Sequence, residues 1–432
     1  MDTVAVSAAR IPPGPIKHHN SMDELFQWME ENFSRYGDIY RATVFGSNVY
    51  VVRDPDYCER ILRWNWRNYA RSGQMVKRIS FLLGNSLIAS NGEFWANQRR
   101  MIQPAFSKNA IFALAGIITE ANAELLGRWK QSAVRQERVN VTQDVSAMTM
   151  KITLTSIFGE DYGSAAPAFE FLAGEWTRNL EFTQSFRALD GVILHIVAER
   201  RHSGTVAADF LGRLMEARDR KHGAPMSDAQ LAKEIRTLVV AGHETTASVL
   251  NWMWYLLSRH PEVQIQLHKE FNSLPWGEIP TVEVLHKYTY TRQVIEETLR
   301  LYPPAWLVTR RAVQEDRLGD FFVPAGTEMY ISPYFIQRNP NLWEASDEFR
   351  PERMRPENER ERHNLATCPF GAGPRNCIGE SLARIELQMH LMMFGRELSL
   401  EYHEKKSPEM TKGLNLLSKH DFMMSPRIFR AA

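Results

Sequence analysis

The sequence predicts a mainly α-helical protein with a minor β region, built around one long buried helix. Three observations predict it. Helical periodicity runs almost unbroken from Gly92 to about His260. Within it, the run from Ser227 to Arg259 is apolar on nearly all sides at its centre (Leu238, Val239, Val240, Ala241, then Val249, Leu250, Trp252), the pattern of a core helix. Strand-like segments are few and short. With 432 residues and 44% hydrophobic content, the chain can bury a large core. It reads as one domain over residues 1–432, with residues 1–20 an extended N-terminal segment.

Taken in order, Ile11-Pro12-Pro13-Gly14-Pro15 permits only an extended entry. Asp38 to Phe45 and Asn48 to Val52 predict two strands joined at Gly46-Ser47. Asp54 followed by Pro55 predicts a capped helix through about Trp64. Breaks are expected at Pro104, at Gly159 to Pro167 and at Gly223 to Pro225. Ser227 then caps the long helix, which at about 1.5 Å per residue crosses the whole molecule. Further helices are predicted at Glu262 to Asn272, Arg292 to Leu301 and about Ile378 to Glu397. Asp320 to Ser332 predicts a second hairpin turning at Ala325-Gly326, and Pro340 to Pro369 an ordered meander.

Lys plus Arg is 52 and Asp plus Glu 51, so no charge excess favours nucleic acid as a partner. Three cysteines, Cys58, Cys368 and Cys377, do not make a disulfide framework and fit a reducing compartment. No stretch approaches the roughly 18 uninterrupted apolar residues of a membrane span, and the start lacks the order of a signal peptide. The expectation is a soluble cytoplasmic monomer.

Chemistry concentrates in Phe370-Gly371-Ala372-Gly373-Pro374-Arg375-Asn376-Cys377-Ile378-Gly379. Its glycines let the backbone approach a flat ligand, and Cys377 lies just ahead of a helix N-terminus, where dipole and free N–H groups favour a thiolate. Arg375 adds a fixed cation suited to a carboxylate. A dinucleotide cradle is excluded because Asn376 replaces the third glycine. Ala241-Gly242-His243-Glu244-Thr245-Thr246 lies mid-way along the long helix. A zinc reading fails there for want of a second histidine. An acid and two β-branched hydroxyls are poor core-helix residues unless they act. Thr245 has the spacing to bond the Ala241 carbonyl. Glu297 and Arg300 share a helical face, but so do Glu175 and Arg178, Glu357 and Arg360, and Glu359 and Arg362, so spacing alone decides nothing. Trp95 and Arg99 present an indole N–H and a guanidinium together.

The Cys377 loop resembles the haem-binding loop of the cytochrome P450 superfamily, F-x-x-G-x-R-x-C-x-G, with every fixed position matched, and the resemblance spans about Ile11 to Arg430. It implies that fold, with haem b as cofactor and Cys377 as the axial thiolate and only metal ligand. That thiolate favours O–O cleavage. It implies that Phe370, Arg375 and Gly379 shape the cofactor loop, while Trp95, Arg99 and Arg310 meet its propionates. Thr245 and Glu244 become the relay that delivers protons for dioxygen activation, with Gly242 leaving room for a small ligand. Glu297, Arg300 and Arg353 become a structural ion-pair group near the thiolate side.

By position in that family, substrate meets Met75, Phe81, Val239, Val240, Ala241, Ala305, Trp306, Val308, Leu416 and Leu417. These are apolar, which favours a hydrophobic small molecule such as a terpenoid, an indole or another secondary metabolite. The hairpin of Phe45 to Val52 offers no evident cation, which sets a fatty-acid hydroxylase second. A peroxygenase or isomerase needing no electron donor, or a haem sensor, is disfavoured by Glu244-Thr245. No flavin or iron–sulfur domain is legible, so electrons are expected from separate ferredoxin and ferredoxin reductase or flavodoxin-type donors. They would dock on charge from Arg99, Arg100, Arg375 and Arg384.

Overall fold

Ser227 turns its hydroxyl onto the backbone N–H of Gln230 at 3.3 Å and starts a helix that runs from Asp228 to Arg259, roughly 48 Å. The computed structural model describes residues 10–15, 18–21, 24–173, 180–204, 206–274, 282–413 and 415–429, so the expected extended N-terminal segment is described only in part. Helices Val141–Phe158, Leu180–Ser203, Thr289–Leu301 and Glu380–Glu397 pack on the long helix. They bury Ile235, Val239, Val249, Leu250, Trp252 and Leu257. One stripe escapes: Leu238, Ala241, Gly242 and Thr245, at i, i+3, i+4 and i+7, keep accessible surface in the middle of this core, flanked by the half-buried Val240 and Glu244. The packed helices leave that stripe uncovered.

The first hairpin pairs Ile39–Val44 with Ser47–Val52. Val44 lies opposite Ser47, so the turn residues are Phe45 (φ 50°) and Gly46 (φ 75°), one position earlier than expected. Two successive left-handed residues match the twist of the strands. Asp54 caps the next helix by accepting from the Tyr57 N–H at 2.9 Å.

The second predicted hairpin is corrected. Phe321–Val323 pairs with Asp316–Leu318, turning at Gly319 (φ 56°), and not with the strand that follows. Pro324 has no N–H to continue the ladder. The four residues of Glu328–Ile331 are all buried, which suits a central strand. It lies parallel to Ser47–Val52 and antiparallel to Val308–Ala312. Tyr69–Ala70 closes that sheet, with Ala70 opposite Arg311. The register therefore carries Arg71, the next residue, alongside Arg310.

The helical stretch Lys108–Arg135 is long and apolar enough by mean hydropathy (1.4) to cross a membrane, although polar residues interrupt it throughout. Within the fold, 44% of its most apolar window is buried, with Ile118, Ala121, Leu125 and Trp129 in the core.

On helix Thr289–Leu301, Glu297 and Arg300 are both fully buried, with two nitrogen–oxygen contacts of 2.8 Å. Arg353 approaches the same carboxylate at 3.0 Å. Arg300 also donates to the carbonyls of Gln337, Ser346 and Glu348, and Gln337 in turn accepts from the Cys368 N–H at 2.7 Å. The group thus braces the chain leading into the Cys377 loop. Arg300→Leu leaves a buried carboxylate short of its main partner, which costs about 3–5 kcal/mol. Urea unfolding should show that loss, against no measurable change for Arg350→Ala, whose pair with Glu348 is exposed. A loss under about 1 kcal/mol would contradict this role.

Candidate active site

The Cys377 loop is shaped by two left-handed glycines, Gly371 (φ 73°) and Gly373 (φ 69°). A Cβ on Gly373 would lie 1.9 Å from the Leu62 carbonyl oxygen, so no other residue fits. The Cys377 N–H donates to Phe370 O at 2.9 Å and the Asn376 N–H to Gly373 O at 3.0 Å. Arg99 grips the loop from helix Gly92–Ile102, donating to the Asn376 carbonyl at 2.9 Å and to its side-chain oxygen at 3.1 Å. Cys377 keeps accessible surface although protein surrounds it, so its thiol borders an interior space. Burial raises its pKa above the ordinary thiol value. The Gly379 N–H and the charges of Arg99 and Arg71 work the other way, and Glu380 adds to the rise. The Gly379 N–H thus favours the thiolate as the sequence predicts, burial opposes it, and a bound cation would add to the first.

Around this loop four guanidiniums gather. Arg71, Arg99, Arg310 and Arg375 have no carboxylate within 4.0 Å among the described residues. Arg375 donates to Ser90 O at 2.9 Å and Asn91 Oδ1 at 3.1 Å, and lies 4.1 Å over the Trp95 ring. Among the described residues Arg310 reaches only its neighbour's carbonyl, Thr309 O, at 2.8 Å. The Nε atoms of Arg71 and Arg375 are buried without a partner among the described residues. Burial and mutual repulsion lower the pKa of Arg310, and burial with Arg71 lowers that of Arg375 to about 10. Burial likewise takes Arg71 to about 10, with Arg99 adding and Cys377 opposing.

Buried cations without counter-charge are costly unless a ligand supplies it. A flat ligand carrying two carboxylates beside a thiol-coordinated metal, as haem does, answers that demand. Trp95 and Arg99 divide the work differently from the expectation: Trp95 lies under Arg375, while Arg99 is spent on Asn376. Arg71 is an addition, since a lone arginine carries no local signal.

The charge expected on the outer face is largely absent. Arg375 is buried, Arg99 is engaged, and Arg384 is paired with Glu296 and Glu380 and lies 4.8 Å over the Phe370 ring. Of the four arginines expected there, Arg100 is the exposed one.

On the open stripe of the long helix, Thr245 donates to Ala241 O at 2.7 Å, as its spacing predicts. Glu244 lies one face round, its Oε2 accepting from the Asn415 amide. Burial raises the Glu244 pKa, and the amide opposes the rise. His243 is buried against the Ser146 hydroxyl at 2.9 Å and burial lowers its pKa to about 4, which keeps it neutral. Behind Thr245, Thr246 bonds Glu386, a buried acid that burial raises to about 8. A charged residue on the buried face of helix Glu380–Glu397 was the available signal for it.

Among the proposed substrate contacts, Ala241 lies on the open stripe. Met75, Val308 and Leu417 are half-buried, and Ala305 and Phe81 are exposed. Val239 and Leu416 are fully buried, and Val240 is half-buried one face round from the open stripe. Trp306 is 1% exposed, donates its indole N–H to Gly413 O at 3.0 Å and packs on Phe26. Val239, Trp306 and Leu416 thus offer a ligand no surface in this structure. Leu238, which the sequence marks only as part of the helix's apolar centre, does.

A family model described as Cytochrome P450 matches residues 13–173 and 169–426. The chain is 32% identical over 372 residues to cyclooctat-9-en-7-ol 5-monooxygenase of Streptomyces melanosporofaciens, covering 81% of this chain and 80% of that protein. It is 28% identical to protein LUTEIN DEFICIENT 5, chloroplastic, of Arabidopsis thaliana (91% and 72% covered) and 26% identical to pentalenene oxygenase of Streptomyces avermitilis (83% and 83%). A solved structure of retinoic acid-bound cyanobacterial CYP120A1 superposes with a TM-score of 0.87 at 23% identity, covering 98% of this chain and 100% of that one. Helical fold and matched sequence together define a haem-thiolate oxidoreductase. The chain belongs to the cytochrome P450 family, whose monooxygenases bind hydrophobic substrates and use dioxygen and redox partners.

Proposed function

We propose that this chain is a single-domain monooxygenase of apolar, ring-containing secondary metabolites of the terpenoid kind, with Cys377 as the iron ligand. The observation that carries the site assignment is the set of four guanidiniums without carboxylates beside the one cysteine that borders an interior space. When bound, the haem supplies the redox chemistry that activates dioxygen and inserts one of its atoms into the substrate. Arg71, Arg310 and Arg375 hold its carboxylates, and Arg99 holds the loop that presents the thiol. Leu238, Ala241 and Gly242 give the substrate an apolar wall and exclude water. Thr245 holds a proton at Oγ1 on that wall, and Glu244 restores it from solvent.

Support for the substrate class comes from the apolar stripe and from relatives named for oxidising cyclooctat-9-en-7-ol and pentalenene. We place the protein in the cytoplasm, as a monomer fed by separate ferredoxin or flavodoxin-type donors. A fatty-acid reading keeps one observation in its favour: Arg78 lies 5.1 Å over the Phe45 ring, so the first hairpin does have a cation beside it. Titrating the ferric protein with cyclic terpene alcohols and with long-chain fatty acids, while following the iron spin state, separates the two. The terpenoids should give the tighter response, and turnover should need reductant plus an added donor protein. Tighter fatty-acid binding that is lost in Arg78→Ala would overturn the substrate assignment, and product from peroxide alone would overturn the electron-donor assignment.

A further inference from the structure

The strand Leu416–Ser418, with Asn415 just ahead of it, is held along one face of the long helix. Ser248 donates to Leu416 O at 2.6 Å, Trp252 donates to the same oxygen at 3.3 Å, and Asn251 donates to Ser418 Oγ at 2.9 Å. Glu244 completes the row by accepting from Asn415 Nδ2. Positions 244, 248, 251 and 252 are spaced i, i+4, i+7 and i+8, one continuous face next to the open stripe. From the other side the Leu416 N–H donates to Pro304 O at 2.9 Å and Trp306 to Gly413 O. The Asn415 amide is therefore presented to the Glu244 carboxyl next to a residue, Leu416, that is hydrogen-bonded on both sides.

We infer that Asn415 is a positioning residue for the acid: it occupies Oε2 of Glu244 and confines the exchangeable proton to Oε1. This rests on the reading of Glu244 as the residue that returns protons to Thr245. An N–H donor favours the ionised carboxyl and burial the neutral one, so the amide keeps the group able to release its proton. No charged side chain among the described residues enters that balance. Two buried titratable groups belong to the same part of the core: His243, the preceding residue on the helix, which burial lowers to about 4, and Glu386 of helix Glu380–Glu397, bonded by Thr246 and raised by burial to about 8.

Asn415→Asp keeps the shape and removes the donor, and Asn415→Leu removes both donor and acceptor. Isotope-edited infrared difference spectra of the resting protein, with the Glu244 carboxyl band assigned by its loss in Glu244→Gln, read the titration directly. In both variants the band should titrate at higher pH than in the wild type, further in Asn415→Asp, where a second carboxyl faces the first. The pH profile of product formed per reducing equivalent should move the same way, with a several-fold loss at neutral pH. Unmoved titration and profile in both variants, while Glu244→Gln alters coupling, would overturn the role of Asn415 alone. Unaltered coupling in Glu244→Gln would overturn it together with the reading of Glu244.

Discussion

Thr245→Ala should leave cofactor content and the substrate-induced spin change nearly intact while reducing equivalents emerge as hydrogen peroxide instead of product. The Thr245 side chain lies on the open stripe, where Leu238, Ala241 and Gly242 offer no other donor, so alanine leaves that wall wholly apolar. Its hydroxyl now spends its proton on Ala241 O. Threonine in a helix has two accessible χ1 wells, so rotation releases that bond and turns the proton toward the interior. A positioned proton donor is typically worth ~10²–10⁴ in rate, enough for peroxide release to outrun product formation. Helix stability gives no competing explanation, because alanine is the better helix former. Product and peroxide are to be counted per reducing equivalent. Glu244→Ala should slow the same step with less diversion, since water can reach an acid's place more readily than a hydroxyl's on the wall. Full coupling in Thr245→Ala would move the relay elsewhere, first to Thr246, which already bonds Glu386.

What the sequence made legible was local. Ser227, the apolar centre of its helix, and the loop from Phe370 to Gly379 carry their structure within a few residues, and each appears where periodicity or glycine placement puts it. What escaped depends on pairing between distant segments. Arg71 joins Arg310 because a two-residue strand pairs with residues 311 and 312 across some 240 positions of sequence, and nothing around Ala70-Arg71-Ser72 announces it. Glu328–Ile331 was read as half of a local hairpin because adjacency suggested it, yet its burial on both faces sends it to the centre of the larger sheet. Asn415 is an ordinary turn residue until the long helix lies beside it. Trp306, read as a flat pocket wall, instead buries its ring against Phe26, because its indole N–H finds a backbone carbonyl there.

Identity of the iron ligand is the claim on which the rest stands, and the three cysteines make it a clean comparison. Cys58 and Cys368 are 0% and 3% exposed, both packed in one apolar cluster, and burial pushes the Cys368 thiol up to about 12. Neither reaches an interior space, whereas Cys377 does and is gripped by Arg99 through Asn376. The decisive measurement is the absorption spectrum of the reduced carbon monoxide complex in the wild type and in Cys377→Ser, Cys58→Ser and Cys368→Ser. The wild type and the last two should show the strongly red-shifted band of thiolate ligation. Cys377→Ser should still bind haem through Arg71, Arg310 and Arg375 but lose that band. A red-shifted band that survives in Cys377→Ser, or disappears only in one of the other two variants, would contradict the assignment.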